Sequence, residues 1–139
     1  MRTNLTLEDL PGFLELPLVA VLATLRRDGS VQLSPVWHEW RDGGFNLWLP
    51  MEDVKTRHLR RDPRASLVVA ESETPLRGVE LRTEARLIDR EVRATAVRIG
   101  TRYVGEAKST DYVESAENDV IARLEPGHVR VWDFADEYD

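Results

Sequence analysis

The chain has 139 residues, no cysteine, and 25 acidic against 19 basic side chains, a net charge of −6. The missing thiols exclude a disulfide scaffold, thiolate metal sites and cysteine nucleophiles. The acidic balance argues against a nucleic-acid partner, which requires a broad basic surface. The longest apolar run, residues 16–25, is too short for a membrane span, and polar residues follow Met1-Arg2 without an export core. We therefore expect a single cytoplasmic domain over residues 1–139, large enough for one hydrophobic core.

Residues 5–16 predict a short helix, with Thr6 as cap and Leu7, Leu10 and Leu14 at helical spacing. Pro17 ends it. Residues 18–25, "LVAVLATL", are apolar enough for a central strand. An Asp-Gly turn in "RRDGS" leads into a second strand over residues 31–40, and "RDGG" turns into a third over 45–50. In that third strand Phe45, Leu47 and Leu49 share one face. Asn46 and Trp48 share the other, which is free to meet a partner subunit.

Asp53 is placed to cap a helix that Asp62-Pro63 stops, because proline disfavours a helical residue before it. Residues 65–70 predict a strand, and residues 79–87 show the cleanest alternation in the chain. Val79, Leu81, Thr83, Ala85 and Leu87 point one way; Glu80, Arg82, Glu84 and Arg86 point the other. Asp89 then caps a helix with the stripe Val92, Ala96, Ile99 and Tyr103. Residues 105–118 are polar and fit neither period. Two closing strands, "DVIARL" and "HVRVWDF", flank an "EPG" turn. Six or seven antiparallel strands with two or three inserted helices form a mainly β fold that closes as a small barrel.

Familiar catalytic motifs are missing: no Gly-x-Ser-x-Gly elbow, no Walker loop, no His-Glu-x-x-His. His38, His58 and His128 lie far apart, and no metal site is assigned. An enzyme built on this chain would take its chemistry from a bound cofactor. One segment stands out. Residues 55–61, "KTRHLRR", hold four cations and a histidine. They are either a solvated helix face or an anion site. Lys55 and Thr56 fall in the first turn, where unpaired amides and the helix dipole favour phosphate. Two charge-assisted hydrogen bonds supply about 6 kcal/mol at most, a dissociation constant of about tens of micromolar. A cofactor would also need a flat ring buried against strands such as "QLSPVW" and "FNLWLP".

The order "LATLRRDGSVQLSPVWHEW…FNLWLP…KTRHLRRDPRASLVV…RGVELRTEARL" resembles the pyridoxamine 5′-phosphate oxidase-like superfamily, and within it the flavin- and deazaflavin-dependent oxidoreductases. The resemblance implies a split β-barrel of antiparallel, Greek-key type. It implies a homodimer with cofactor at the subunit interface and a small-molecule substrate. Lys55, followed by Thr56, matches the phosphate-binding lysine. Gln32, Ser34, Pro35 and Val36 match the strand along the ring, with Leu49 and Pro50 nearby. Arg57, Arg60, Arg61 and Arg64 match a basic run, of which one arginine is expected to reach the cofactor; "DPR" is expected to form a turn with a structural ion pair. Relatives carry a basic residue where this chain has Asp53 or Val54, and Ser or Thr near Pro50. Both departures weigh against FMN and leave room for the deazaflavin coenzyme F-420, whose acidic tail suits the arginines. The implied activity is hydride transfer from reduced F-420; the alternatives are an FMN oxidoreductase and a non-catalytic flavin, deazaflavin or haem binder. His38 is a candidate for substrate or iron contact. Trp37, Trp40, Trp48 and Trp132 are expected to pack in the core or at the dimer interface.

Overall fold

The computed structural model describes residues 1–114 and 118–137. Among them eight strands form: β1 Ala20–Leu25, β2 Val31–Val36, β3 His38–Arg41, β4 Gly44–Leu49, β5 Arg64–Ala70, β6 Gly78–Ile88, β7 Val120–Leu124 and β8 His128–Trp132. All pairings are antiparallel, in the order β2-β1-β5-β6-β7-β4-β3, with β8 also on β6. Three helices are inserted: α1 Val54–Arg61, α2 Val92–Val104 and α3 Glu106–Val113.

The eleven-residue β6 organises the barrel. Its first half pairs with β5 and β8, its last four residues with β7. One half-barrel is therefore β2-β1-β5-β6-β8 and the other β3-β4-β7-β6, sharing one strand. The closing strands β7 and β8 do not form a hairpin with each other; they lie end to end along one side of β6. The turn between them runs so close to β6 that a side chain at Gly127 would sit 2.6 Å from the Arg82 carbonyl oxygen. The alternation of β6 holds: Val79, Leu81 and Ala85 are buried, while Arg82, Glu84 and Arg86 face water.

Four further expectations are corrected. Residues 5–16 form two 3-10 turns, Leu7–Asp9 and Phe13–Glu15, not one helix, because Pro11-Gly12 interrupts with Gly12 at φ 79°. Thr6 does cap the first of them, its amide donating to Asp9 Oδ2 at 2.7 Å. The long second strand breaks at Trp37, so β2 pairs with β1 while β3 crosses to β4. That split yields eight strands where six or seven are expected. Helix α2 begins after Glu91, which takes φ 55°, and not from a cap at Asp89.

The unassigned stretch 105–118 contains α3; residues 115–117 lie outside the described residues. The outward face of β4 is covered by this chain's own α2 rather than left for a partner. Trp48, like Val97, packs against the buried cluster of Ala96 and Val113, and Asn46 donates to the buried Glu39 at 2.9 Å. Phe45, Leu47 and Leu49 point the other way, fully buried in the main core with Phe13, Leu22 and Leu81. No helix among the described residues is long and apolar enough to cross a membrane.

Candidate functional site

Helix α1 bridges the half-barrels, leaving β4 and leading into β5. Leu49 ends β4 in the core and Pro50 is exposed. Thr56 ties the helix back to this corner: it is fully buried and its hydroxyl donates to the Pro50 carbonyl at 2.7 Å. That hydroxyl thus serves the helix start. Lys55, one residue earlier, stays half-buried, and its Nζ donates to Asp53 Oδ2 at 2.6 Å. Asp53 has the extended backbone of an N-cap, yet its carboxylate makes no capping bond. The Lys55 ammonium beside it holds the Asp53 carboxyl below the usual carboxylate range.

The next face of α1 looks onto the β1–β2 turn. Val54, Arg57, His58 and Arg61, at helical spacing, line a groove of about 620 Å³ with Arg26, Arg27 and Asp28. Four guanidinium groups therefore meet one carboxylate. That carboxylate is occupied by the turn, accepting from the Ser30 amide at 2.9 Å and hydroxyl at 2.6 Å. Arg26 donates to the Val31 carbonyl at 2.8 Å, and Arg61 to that of Leu25. His58 Nδ1 lies 2.9 Å from the Thr24 hydroxyl, and burial, then Arg61, Arg26 and Arg57, depress its pKa. His58 is thus held neutral, and the groove's positive charge comes from arginine.

Arg60 lies apart from the groove, reaching the Met51 carbonyl at 3.5 Å. Arg64 closes the "DPR" turn in an ion pair with Asp62 at 2.7 Å. On β2 the candidates divide between faces. Ser34 and Val36 are buried and Gln32 half-buried, its amide donating to Ser34 Oγ at 3.3 Å; Pro35 is exposed on the opposite side with Val31 and Leu33. Since β2 is terminal in the sheet order, its outer edge has no strand partner among the described residues.

His38 is fully buried, its Nε2 2.9 Å from the Leu18 carbonyl and its ring edge-on to Phe45. It is an interior residue and offers no exposed surface to a substrate or an iron. Trp37 stacks on Tyr103 at 4.9 Å between centroids, and Trp40 packs on Phe45. Residues the sequence reading passed over are Arg26 and Arg27. Their signal was present: two arginines at a hairpin tip, beside a strand whose neighbour leads to the cationic helix.

Two half-barrels sharing one long strand, bridged by a cationic helix, define a split β-barrel protein. Residues 7–133 match the pyridoxamine 5′-phosphate oxidase family, and the chain belongs to it. Among solved structures, a conserved hypothetical protein from Mycobacterium tuberculosis is 25% identical, with a TM-score of 0.83 over 97% of this chain and 89% of that one. An F-420 reductase is 23% identical, with a TM-score of 0.69 over 85% of this chain and 93% of that one. The haem storage protein HutZ from Vibrio cholerae is 18% identical, with a TM-score of 0.71 over 88% and 92%. The last two likenesses are of fold.

Proposed function

We propose that the chain, as one domain, is an oxidoreductase that uses reduced deazaflavin coenzyme F-420 to deliver a hydride to a conjugated small-molecule acceptor. It acts as a homodimer with the cofactor at the subunit interface. The observation that carries this proposal is the cationic track along α1, where Lys55 opens the helix and Arg57 and Arg61 follow opposite Arg26 and Arg27. FMN offers such a track one phosphate. F-420 offers a phosphate and a glutamyl tail, so its negative charge is spread over a comparable length.

In this mechanism Lys55 and the first amides of α1 hold the phosphate. Arg57 and Arg61, with Arg26 and Arg27, receive the tail carboxylates. The free edge of β2 offers backbone donors and acceptors to the rim of the ring, and Gln32, Ser34 and Val36, with Leu49 and Pro50, set the wall behind it. Thr56 fixes the angle at which α1 leaves that wall. When bound and reduced, the deazaflavin supplies a hydride from its central ring carbon. The protein's part is orientation, exclusion of water and charge complementarity, and no acid–base pair is asked of it.

Fluorescence-quenching titration tests the anchor. Lys55→Ala is expected to weaken F-420 binding at least tenfold, and an unchanged curve removes Lys55 from the site. Tighter binding of FMN than of F-420 would move the assignment to FMN. Stoichiometric binding without turnover of any quinone-type acceptor would make the chain a carrier.

A further inference from the structure

We propose that Asp53 biases the Lys55 site toward singly charged phosphodiesters and against doubly charged phosphomonoesters. This rests on the proposed role of Lys55 as the phosphate anchor.

The argument begins with where the Asp53 carboxylate points. A helix N-cap aspartate ordinarily accepts from the backbone amides of the first turn. Asp53 has the backbone for that role but gives its carboxylate to Lys55 at 2.6 Å. The two features that draw an anion here, the ammonium and the positive end of the helix dipole, therefore already have a resident negative charge. The pair is held in place, with 14% of the Lys55 side chain and 34% of that of Asp53 exposed.

An ammonium has three donors, and Asp53 uses one. A phosphate oxygen accepting from the other two must sit within a few ångströms of the carboxylate. Each negative charge on the incoming phosphate then meets one on Asp53, so a dianion meets about twice the repulsion of a monoanion. Lys55 and the arginines of the groove likewise attract a dianion about twice as strongly as a monoanion, so Asp53 acts by shifting that balance toward the monoanion, and its effect is read as the difference between wild type and Asp53→Asn. Along the chain the charged neighbours of Asp53 are Glu52 before it and Lys55, Arg57 and Arg60 after it. Lys55 is the one whose charge perturbs Asp53, and it keeps the carboxyl ionised through the neutral range.

The ligands differ in the required way. FMN carries a phosphomonoester with a second pKa of about 6, a dianion at pH 8. F-420 carries its phosphate as a diester, with a single charge at any such pH.

The test uses the full chain, wild type, Asp53→Asn and Lys55→Ala, titrated with FMN, F-420 and riboflavin. Asparagine keeps the cap preference and the shape while removing the charge. At pH 8, Asp53→Asn is expected to tighten FMN binding about tenfold. It should tighten F-420 binding only about threefold, the square root of that gain, and leave riboflavin unchanged. At pH 5.5, where the FMN phosphate is mostly a monoanion, the gain for FMN should fall toward the same threefold. A merely structural role for Asp53 would not follow the ligand's own titration. If Lys55→Ala weakens both phosphorylated ligands but Asp53→Asn shifts them equally or not at all, the selectivity proposal is overturned and the anchor stands. If Lys55→Ala weakens neither, both fail.

Discussion

At the scale of single residues, His38 makes the sharpest statement about the interior. Its ring is fully buried, Nε2 meets the Leu18 carbonyl and Nδ1 has no partner among the described residues. Burial, reinforced by the Arg102 guanidinium, pushes its pKa down from 6.5 to about 4. The unfolded chain therefore takes up this proton before the folded one does. Stability falls as the pH drops below 6.5 and levels off once the pH passes below the folded value. Two and a half units correspond to roughly 3 kcal/mol. Urea unfolding at pH 7 and pH 4.5 should show wild type losing about 2–3 kcal/mol more than His38→Gln over that interval. Equal losses would mean that His38 titrates freely. The position of Lys55 at the start of a helix was legible from Asp53 ahead of it and Asp62-Pro63 behind. The destination of the Thr56 hydroxyl was not, because its acceptor is a backbone carbonyl that only the corner after β4 brings near. Glu39 was hidden for the same reason: the guanidinium that permits its burial, Arg98 at 2.9 Å, lies 59 residues away in the chain.

At the scale of elements, period identified what it could. The alternation of β6 and the stripe of α2 are local, and both are present. The break at Trp37 is a tertiary event. A polar–apolar rhythm runs through it, and only the transfer of the chain from β1 to β4 separates β2 from β3. Helix α3 lacked an apolar stripe because it packs through small residues instead. Ser109 is fully buried against α2, its hydroxyl donating to the Val97 carbonyl at 2.8 Å. A methyl group on Gly100 would come within 3.1 Å of Ser109 Cβ and closer still to its hydroxyl. In an exposed helix Gly→Ala gains about 1 kcal/mol. Here overpacking of about 1–3 kcal/mol opposes it, so Gly100→Ala is expected to destabilise by about 1 kcal/mol. Adding Ser109→Ala removes the nearest atom and should restore at least half the loss. Thermal unfolding of the four members of this cycle checks it; additive effects would show that the two helices do not meet at this point.

At the scale of the molecule, an acidic chain exposes a strongly apolar surface. Leu33 is 68% exposed, Val31 50% and Val19 52%. The register sets Leu33 against Ala23, Pro35 against Val21 and Val31 against Leu25, with Val68 beyond Val21 on β5. The outer face of β2-β1-β5 is thus a continuous apolar band bordered by the unpaired edge of β2, the same edge proposed to meet the cofactor ring. Contiguous apolar patches of this kind mark association surfaces, and the proposed dimer would bury this one isologously around a two-fold axis. Leu33→Asp puts a charge at the centre of the band. Leu33 faces outward, so the fold should be unchanged, within about 0.5 kcal/mol. Sedimentation equilibrium is expected to show a dimer for wild type and a monomer for the variant, and F-420 binding should weaken with loss of the partner. A variant that stays dimeric would move the interface to another face. A monomeric variant that keeps full affinity would confine the cofactor to one chain, and the ring would then lie wholly between β2 and the start of α1.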